Sequence, residues 1–508
     1  MVTNGSIERW DVFEITLTSK KTFARPFHDV TLTAVFTNGG TKKKVNGFYD
    51  GGCVWKIRFM PEELGEYRFS ISSSNDEFNG LEGSFISMEP SQGNHGPARV
   101  DKKYHFSFAD RTPFFVMGTT AYVWHYRPEE IRKKTLESFV KYGFNKIRML
   151  FFPKHYVSEL HGANVSYEPP CYPFAGEPNN FDFKTPNPEY FRNFEDRVKE
   201  LMELGIQADV ILFHVYDSGH WGIDTGMDNE DDMFYIHYLV SRLAAYRNVW
   251  WSLGNEYNLF FHTDNVKSNI KKSMDGWSII GGYVKLNDPY GHPISVHNFP
   301  YLPVYPNRDW MTHVSYQHPN TYSMLLDLKN KYGKPVINDE YQYEGNIRDE
   351  WGNSPAELEV FRHWLTAMAG GYGTHGEAFI IDGNNRDIFW SYGGTMIGES
   401  APRLKYMKEI LESCPYQEME PDFTYTDGQN SFGLSDGKGV SLYFIRRSLP
   451  GKRLRFGFFQ DESVRYEATV YDVWNCTIKE KAVVKPDHKF ETTDWTVIKL
   501  VKKDKTDI

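Results

Sequence analysis

An α/β fold built on an eightfold β/α repeat is what the sequence predicts, on three observations. Apolar runs alternate with amphipathic helical segments through the middle of the chain, as a parallel sheet covered by helices requires. Both ends switch to strict two-residue alternation, the pattern of half-buried strands. No GxGxxG turn follows the first apolar strand, which argues against the alternative of a doubly wound open sheet. The expected architecture is a (β/α)₈ TIM barrel flanked by an N-terminal β-sandwich and a small C-terminal β-domain. The expected boundaries are 1–95, 96–413 and 414–508.

The elements follow in order. WDVFEITLTS, DVTLTAVFTN and EYRFSISSS alternate apolar and polar residues, with NGG and DGG as turns between strands. SQGNHGPARV, Ser91 to Val100, reads as a linker. YHFSFADRTPFFVMG reads as a hairpin entering a first barrel strand. A helix near Pro128 ends at Gly143 and leads to NKIRMLFF; a second closes at Gly205 before ADVILFH. Further helices lead to NVWWSLGNE, HPISVHN, KPVINDE and YGTHGEAFII, with MTHVSYQH between the fifth and seventh strands. APRLKYMKEILES supplies a last helix. Eight strands over about 310 residues suit such a barrel. SFGLSDG, VSLYFIRR, RLRFGFF, YEATVYDVW and WTVIKLV restore the strand rhythm, and the KKDKTDI tail is expected to fray.

Bulk properties exclude several classes. The net charge is −10 with a pI near 6.0 and no basic stripe, so nucleic acid is not an expected partner. Cys53, Cys171, Cys414 and Cys476 lie far apart, with no CxxC pair to hold zinc or shuttle electrons. Sparse thiols, and a start without a basic then apolar leader, lead to the expectation of a cytoplasmic protein. No apolar run reaches membrane-spanning length, so no membrane partner is expected; a homo-oligomer is left open. Aromatic residues reach 16%, which serves large cores first and leaves rings to line a cleft.

In such a barrel, functional groups gather at the carboxyl ends of the strands. Those ends are Thr119, Thr120 and Tyr122; Arg148; His214 with Tyr216 and Asp217; Asn255 and Glu256; His297 and Asn298; Tyr316, Gln317 and His318; Asn338, Asp339 and Glu340; His375 and Glu377, with Trp390 beyond. Glu256 and Glu340 each follow an apolar strand with no intervening turn, and the fourth and seventh strands face one another across a closed barrel. Glycoside hydrolysis needs that arrangement: one carboxyl kept protonated, one kept ionised, on either side of a sugar. Arg148, if beside Glu340, would hold it ionised. Glu344 and Asp339 are rivals for the place of Glu340, and Arg148 could equally be a barrel-core ion pair. His214, His297, His318 and His375 read as site residues or as satisfied core histidines; Glu377 as a third carboxylate serving sugar hydroxyls; Trp390 as a stacking platform or ordinary packing. A second Asn-Glu pair, Asn229-Glu230, opens a helix and is explained by capping.

GFNKIRM, ILFH, WSLGNE and KPVINDE resemble strands two, three, four and seven of clan A glycoside hydrolases. RWDVFEITL, GFYDGG, RFMPEELGEY and ADRTPFFVMGTTAY are similar to the apiosidase-like branch with its amino-terminal sandwich. The resemblance implies Glu256 as acid/base, Glu340 as nucleophile, Asn255 as the ligand of the hydroxyl next to the reacting carbon, and Arg148 and Tyr316 as supports of Glu340. Relatives often carry GDT where this chain has Gly118-Thr119-Thr120, so a hydroxyl acceptor is expected to be missing and apiose does not follow as the sugar.

The combined expectation is a retaining glycoside hydrolase that removes terminal sugars from oligosaccharides or glycosides, with carbohydrate as its partner and no metal or cofactor. One alternative is a catalytically inactive carbohydrate-binding protein on the same barrel. Another is a metal-dependent barrel hydrolase, against which stands the lack of HxH or HExxH. Transglycosylation at the same site is the third.

Overall fold

The computed structural model describes residues 2–155, 168–214, 216–217, 220–223, 227–259, 272–380, 388–446, 454–457 and 464–503. Residues 504–508 of the tail and part of RLRFGFF lie outside them.

The barrel strands are β1 (Met117–Thr120), β2 (Lys146–Leu150), β3 (Gln207–His214), β4 (Val249–Asn255), β5 (Ile294–Ser295), β6 (Val314–Gln317), β7 (Val336–Glu340) and β8 (Tyr372–His375). They pair in parallel in the order β5-β4-β3-β2-β1-β8-β7-β6. At the β5–β6 seam the Thr312 N–H donates to Ile294 O at 2.9 Å. The helices are α1 (Glu129–Tyr142), α2 (Pro188–Glu203), α3 (Asn229–Leu243), α4 (Met274–Asn287), α5 (Tyr322–Tyr332), α6 (Ala356–Met368) and α7 (Ser400–Glu412). The eightfold α/β barrel expected from the alternation is the fold observed.

Local chemistry sets the helix ends. Gly143 and Gly333 close α1 and α5 in the left-handed region, at φ 70 and 62°. Asp228 and Asp231 form a capping box at the start of α3, which accounts for the neighbouring Asn229-Glu230 pair. Two strands are shorter than their sequence runs. HPISVHN contributes only Ile294–Ser295, and YGTHGEAFII breaks at Gly376, after which Glu377–Ala378 leaves the barrel to pair with Glu344–Gly345.

Residues 98–114 form a three-stranded meander under the barrel, and Phe106 plugs its base against Trp250, His313 and Tyr372. The N-terminal seven-stranded sheet folds over so that Phe13 stacks on Phe85, with centroids 4.0 Å apart. It meets α2 and α3 through a buried charge lattice. Arg58 reaches Glu195 at 3.1 Å and Arg242 O at 2.8 Å; Arg242 reaches Asp50 at 2.7 Å and also pairs with Glu195. The C-terminal six-stranded sheet lies on α5 and α6, with Phe444 stacked on Trp364 and Phe432 against Tyr322. Both outer sheets therefore rest on the helical layer.

Candidate active site

The site begins with β4, every residue of which is buried. Its two indoles keep their N–H groups satisfied: Trp250 donates to Gln207 Oε1 at 3.1 Å and Trp251 to Asp288 Oδ2 at 3.0 Å. Gly254 is required because a Cβ there would stand 2.6 Å from the Trp277 ring of α4. The next turn is unusual. Glu256 sits at φ 52°, a left-handed conformation uncommon for a non-glycine residue, and so turns its carboxyl over the barrel mouth. There the Tyr216 hydroxyl donates to Glu256 Oε2 at 2.5 Å.

Glu340 ends β7 on the other side. Its Oε1 accepts from Tyr122 at 2.5 Å and from Arg148 Nη1 at 2.7 Å, and its Oε2 from Gln317 Nε2 at 2.9 Å. Asn255 joins the two halves: its Oδ1 accepts from Arg148 Nη2, and its Nδ2 donates to Tyr122 at 3.2 Å and Tyr216 at 2.6 Å. A continuous chain of hydrogen bonds thus links the two carboxyls. One layer down, Lys146 bonds Asp209 and Asp339 at 2.6 and 2.9 Å, and Asp339 also accepts from Ser315 and Thr374.

The two carboxyls lie in different fields. Burial and the nearby Glu340 push Glu256 up to about 8, only partly offset by Tyr216, Arg148 and Lys154. Burial would raise Glu340 as well, but Arg148 and the Tyr122 hydrogen bond outweigh it and hold it below the usual carboxylate range. Burial keeps both phenols, Tyr122 and Tyr216, protonated as donors. One carboxyl is held neutral at neutral pH and the other charged, which suits proton donation paired with nucleophilic or general-base action.

Other residues singled out by sequence fall around this pair. His214 donates from Nε2 to Pro153 O at 2.9 Å and its ring packs against Tyr216; burial lowers it to about 4, so it is a neutral support. His297 bonds Ser315 Oγ through Nδ1 at 3.0 Å, and its Nε2 stands 3.8 Å from Glu340 Oε1; burial lowers it to about 4. His318 is half-buried at the rim, its Nδ1 accepting the Asn320 N–H and its ring against Tyr301. Trp390 packs edge-on to Tyr122 and beside Tyr343 and Trp351, forming an aromatic wall next to Glu340.

Three expectations are corrected. Tyr316 does not support Glu340: its hydroxyl donates to Thr321 O at 3.3 Å. A bulge pairs Tyr316 with Asn338 but Gln317 with Glu340, so the amide takes that place. His375 and Glu377 do not face the mouth. His375 is turned outward against Phe144, and Glu377 accepts the N–H groups of Ile397 and Gly398; they are 0% and 1% exposed, against 8% and 6% for Glu256 and Glu340. Thr119 also faces outward, its hydroxyl 3.1 Å from His375 Nδ1, so this position would not carry a hydroxyl acceptor into the mouth. Of the rivals to Glu340, Asp339 is buried under Lys146, and Glu344 accepts from Glu399, Ser400 N and Ser400 Oγ in the outer layer.

Sequence reasoning passed over Lys154, which is buried, pairs with Asp217 at 3.2 Å and lies over the Tyr216 ring. It also passed over Lys146 and Asp209; charged residues inside the apolar runs NKIRM and ADVILFH were the available signal. Among the described residues two groups of side chains could hold a metal ion: His155, Glu168 and His220, and Glu344, His375 and Glu377 in the outer layer.

Residues 100–418 match the model of a family described as apiosidase-like, catalytic domain, and residues 6–74 match a domain of unknown function, DUF5060. A crystal structure of a candidate glycoside hydrolase from Bacteroides vulgatus is 32% identical, with a TM-score of 0.87, over 99% of this chain and 100% of that one. A family 5 glycoside hydrolase from the same organism is 15% identical, with a TM-score of 0.59, over 80% of this chain and 93% of that one; that likeness speaks for the fold alone. A search of curated proteins returned no match. Among the described residues no helix is long and apolar enough to cross a membrane.

Proposed function

The chain belongs to the family of apiosidase-like catalytic domains, and from that premise we propose that it is a retaining glycoside hydrolase acting on terminal sugars of oligosaccharides or glycosides. The observation that carries this reading is the opposed charge preference of Glu256 and Glu340 across one barrel mouth.

In the proposed reaction, Glu340 attacks the anomeric carbon while the Glu256 carboxyl gives its proton to the departing glycosidic oxygen. The carbon–oxygen bond breaks, the leaving alcohol departs neutral, and a glycosyl ester forms on Glu340. Glu256, now a carboxylate, takes a proton from water, whose oxygen attacks the ester carbon and releases the sugar with its original configuration. Arg148, Tyr122 and Gln317 orient the nucleophile and keep it charged before attack. Tyr216 donates to one oxygen of Glu256, which leaves the other to carry the transferable proton. Asn255, in the role the family resemblance implies, would bind the hydroxyl beside the reacting carbon, while its amide already links Arg148, Tyr122 and Tyr216. Trp390 and its aromatic neighbours offer a flat wall for the sugar's apolar face.

The test is proton NMR of the first-formed product on a panel of aryl glycosides that includes an apioside, followed by digestion of end-labelled oligosaccharides. A retained anomer with sugars released one at a time agrees with the reading. An inverted anomer would remove the double displacement and leave the two carboxyls as general acid and general base.

A further inference from the structure

A second group of ionisable side chains is sealed from water in the layer between the barrel and its helices. Just past β7 and β8 the chain turns outward, and Glu344 and Glu377 meet as register partners of a short parallel pair. One carboxyl oxygen of each and one ring nitrogen of His375 lie within 4.8 Å of one another. Glu359 and His363 of α6 stand behind them: Glu359 feels the charges of both glutamates, and His363 Nδ1 is 3.7 Å from its carboxyl. All five residues are buried.

The carboxylates are partly satisfied by backbone. Glu377 accepts the N–H groups of Ile397 and Gly398 at 2.9 Å, and Glu344 those of Glu399 and Ser400 at 2.8 and 3.0 Å. Among the described residues no Lys or Arg pairs with either glutamate. Two like charges this close, away from water, call for a counter-charge.

His375 supplies the independent observation. Its Nδ1 is tied to Thr119 Oγ1 at 3.1 Å and its ring is stacked on Phe144, so its orientation is fixed. Its Nε2 is buried without a partner and lies 4.0 Å from Glu377 Oε1. An imidazole anchored through one nitrogen, with the other aimed at carboxylates, is the arrangement of a metal ligand oriented by an outer hydrogen bond. A gap of that size is one that two ligands about 2.0–2.2 Å from a shared ion can span.

We propose that Glu344, Glu377 and His375 bind one divalent transition-metal ion of the Zn²⁺ or Mn²⁺ class. Two carboxylates and an imidazole suit such ions, whereas Ca²⁺ and Mg²⁺ prefer oxygen alone. Because the ligands face away from Glu256 and Glu340, the ion's role is structural: it fastens residues 397–400 and the start of α7 to the ends of β7 and β8. The proposal stands apart from the reading of the barrel mouth.

The test uses the full chain, stripped with chelator, loaded separately with Zn²⁺ or Mn²⁺, and gel-filtered before metal analysis and thermal melting. The expected result is one ion per chain and a higher melting temperature. His375→Gln and Glu377→Gln should each weaken uptake at least roughly tenfold, while His220→Ala, which breaks the group of His155, Glu168 and His220, should keep it. Should one variant fail to fold, the other carries the test. The proposal is overturned if the wild-type chain retains no ion, if both ligand variants still bind one, or if His220→Ala alone loses it. In the first case protons hold the glutamates together.

Discussion

Two pairs of buried glutamates, Glu256 with Glu340 and Glu344 with Glu377, stand in different layers of the barrel, although Glu340 and Glu344 are only four residues apart in sequence. Glu256 and Glu340 share the barrel mouth in unequal fields: Arg148, Tyr122 and Gln317 all lean on Glu340, and burial with its neighbour's charge falls on Glu256. Glu344 and Glu377 share the outer layer, each taking two backbone N–H groups from one stretch of chain, with the Ser400 hydroxyl adding a third donor to Glu344. A cation bonded to one carboxyl alone sets the mouth pair apart; backbone N–H groups from one segment tie the outer pair to it. The chemistry of a glutamate at a strand end is thus decided by its partners' asymmetry more than by its position.

The largest effect that could break this comparison comes from the mouth. Glu340→Gln and Glu256→Gln should each lower kcat by roughly 100- to 10,000-fold while the far-ultraviolet circular dichroism stays native. Near-normal turnover in Glu340→Gln would mean that the asymmetry has no catalytic use. Next, Arg148→Met removes the cation that holds Glu340 ionised. The acidic limb of the kcat/KM profile should move to higher pH, because more alkaline solution is then needed to deprotonate Glu340. In the wild type the alkaline limb should fall near pH 8, where Glu256 loses its proton.

Tyr216→Phe should cost less, on the order of tenfold, since it removes one hydrogen bond from a group that keeps its burial. The alkaline limb should then shift upward, because Tyr216 favours the ionised form of Glu256. The outer pair sharpens the contrast. Glu344→Gln loses charge-assisted bonds at the start of α7 and should destabilise the fold by about 1–2 kcal/mol, with turnover changed less than tenfold. A hundredfold loss of turnover there would return Glu344 to the list of nucleophiles.

The last effect is a gain in stability and not a loss of activity. Glu256 titrates near 8 in the folded chain but near its ordinary value of 4.5 when unfolded. Folding must therefore keep a proton that the unfolded chain releases, and stability falls as pH rises from about 4.5 to about 8. Glu256→Gln removes that burden. Its melting temperature should exceed the wild type's at pH 8 and match it at pH 4, by differential scanning fluorimetry. A variant less stable at pH 8 would show that Glu256 is not held neutral.

How far the sequence could be read has a physical boundary. The barrel was legible because eight apolar runs are mostly separated by amphipathic helices, and the nearness of Arg148 to Glu340, implied by the family resemblance, is what the structure shows. The resemblance gave Tyr316 the place beside Glu340 that Gln317 takes, because the bulge between β6 and β7 leaves no mark in the sequence. His375 and Glu377 were assigned to the mouth because an apolar run does not say where a strand stops pairing; Gly376 ends β8, and Glu377 follows another ladder. Lys146 and Asp209 were hidden because their charges cancel only in three dimensions.

The lattice of Arg58, Glu195, Arg242 and Asp50 has a further meaning for how the molecule comes apart. Two of its pairs, Arg58 with Glu195 and Asp50 with Arg242, exist only while the N-terminal sheet lies on α2 and α3, whereas Arg242 and Glu195 also pair within the helical layer. Lifting the sheet away would break both of those cross-boundary pairs at once and leave the helical face with one ion pair where the native lattice has three. Half-unfolded forms are thereby depopulated. Heating should melt sheet and barrel in one cooperative calorimetric transition, and removal of the sheet should cost the barrel its reversibility as well as its stability.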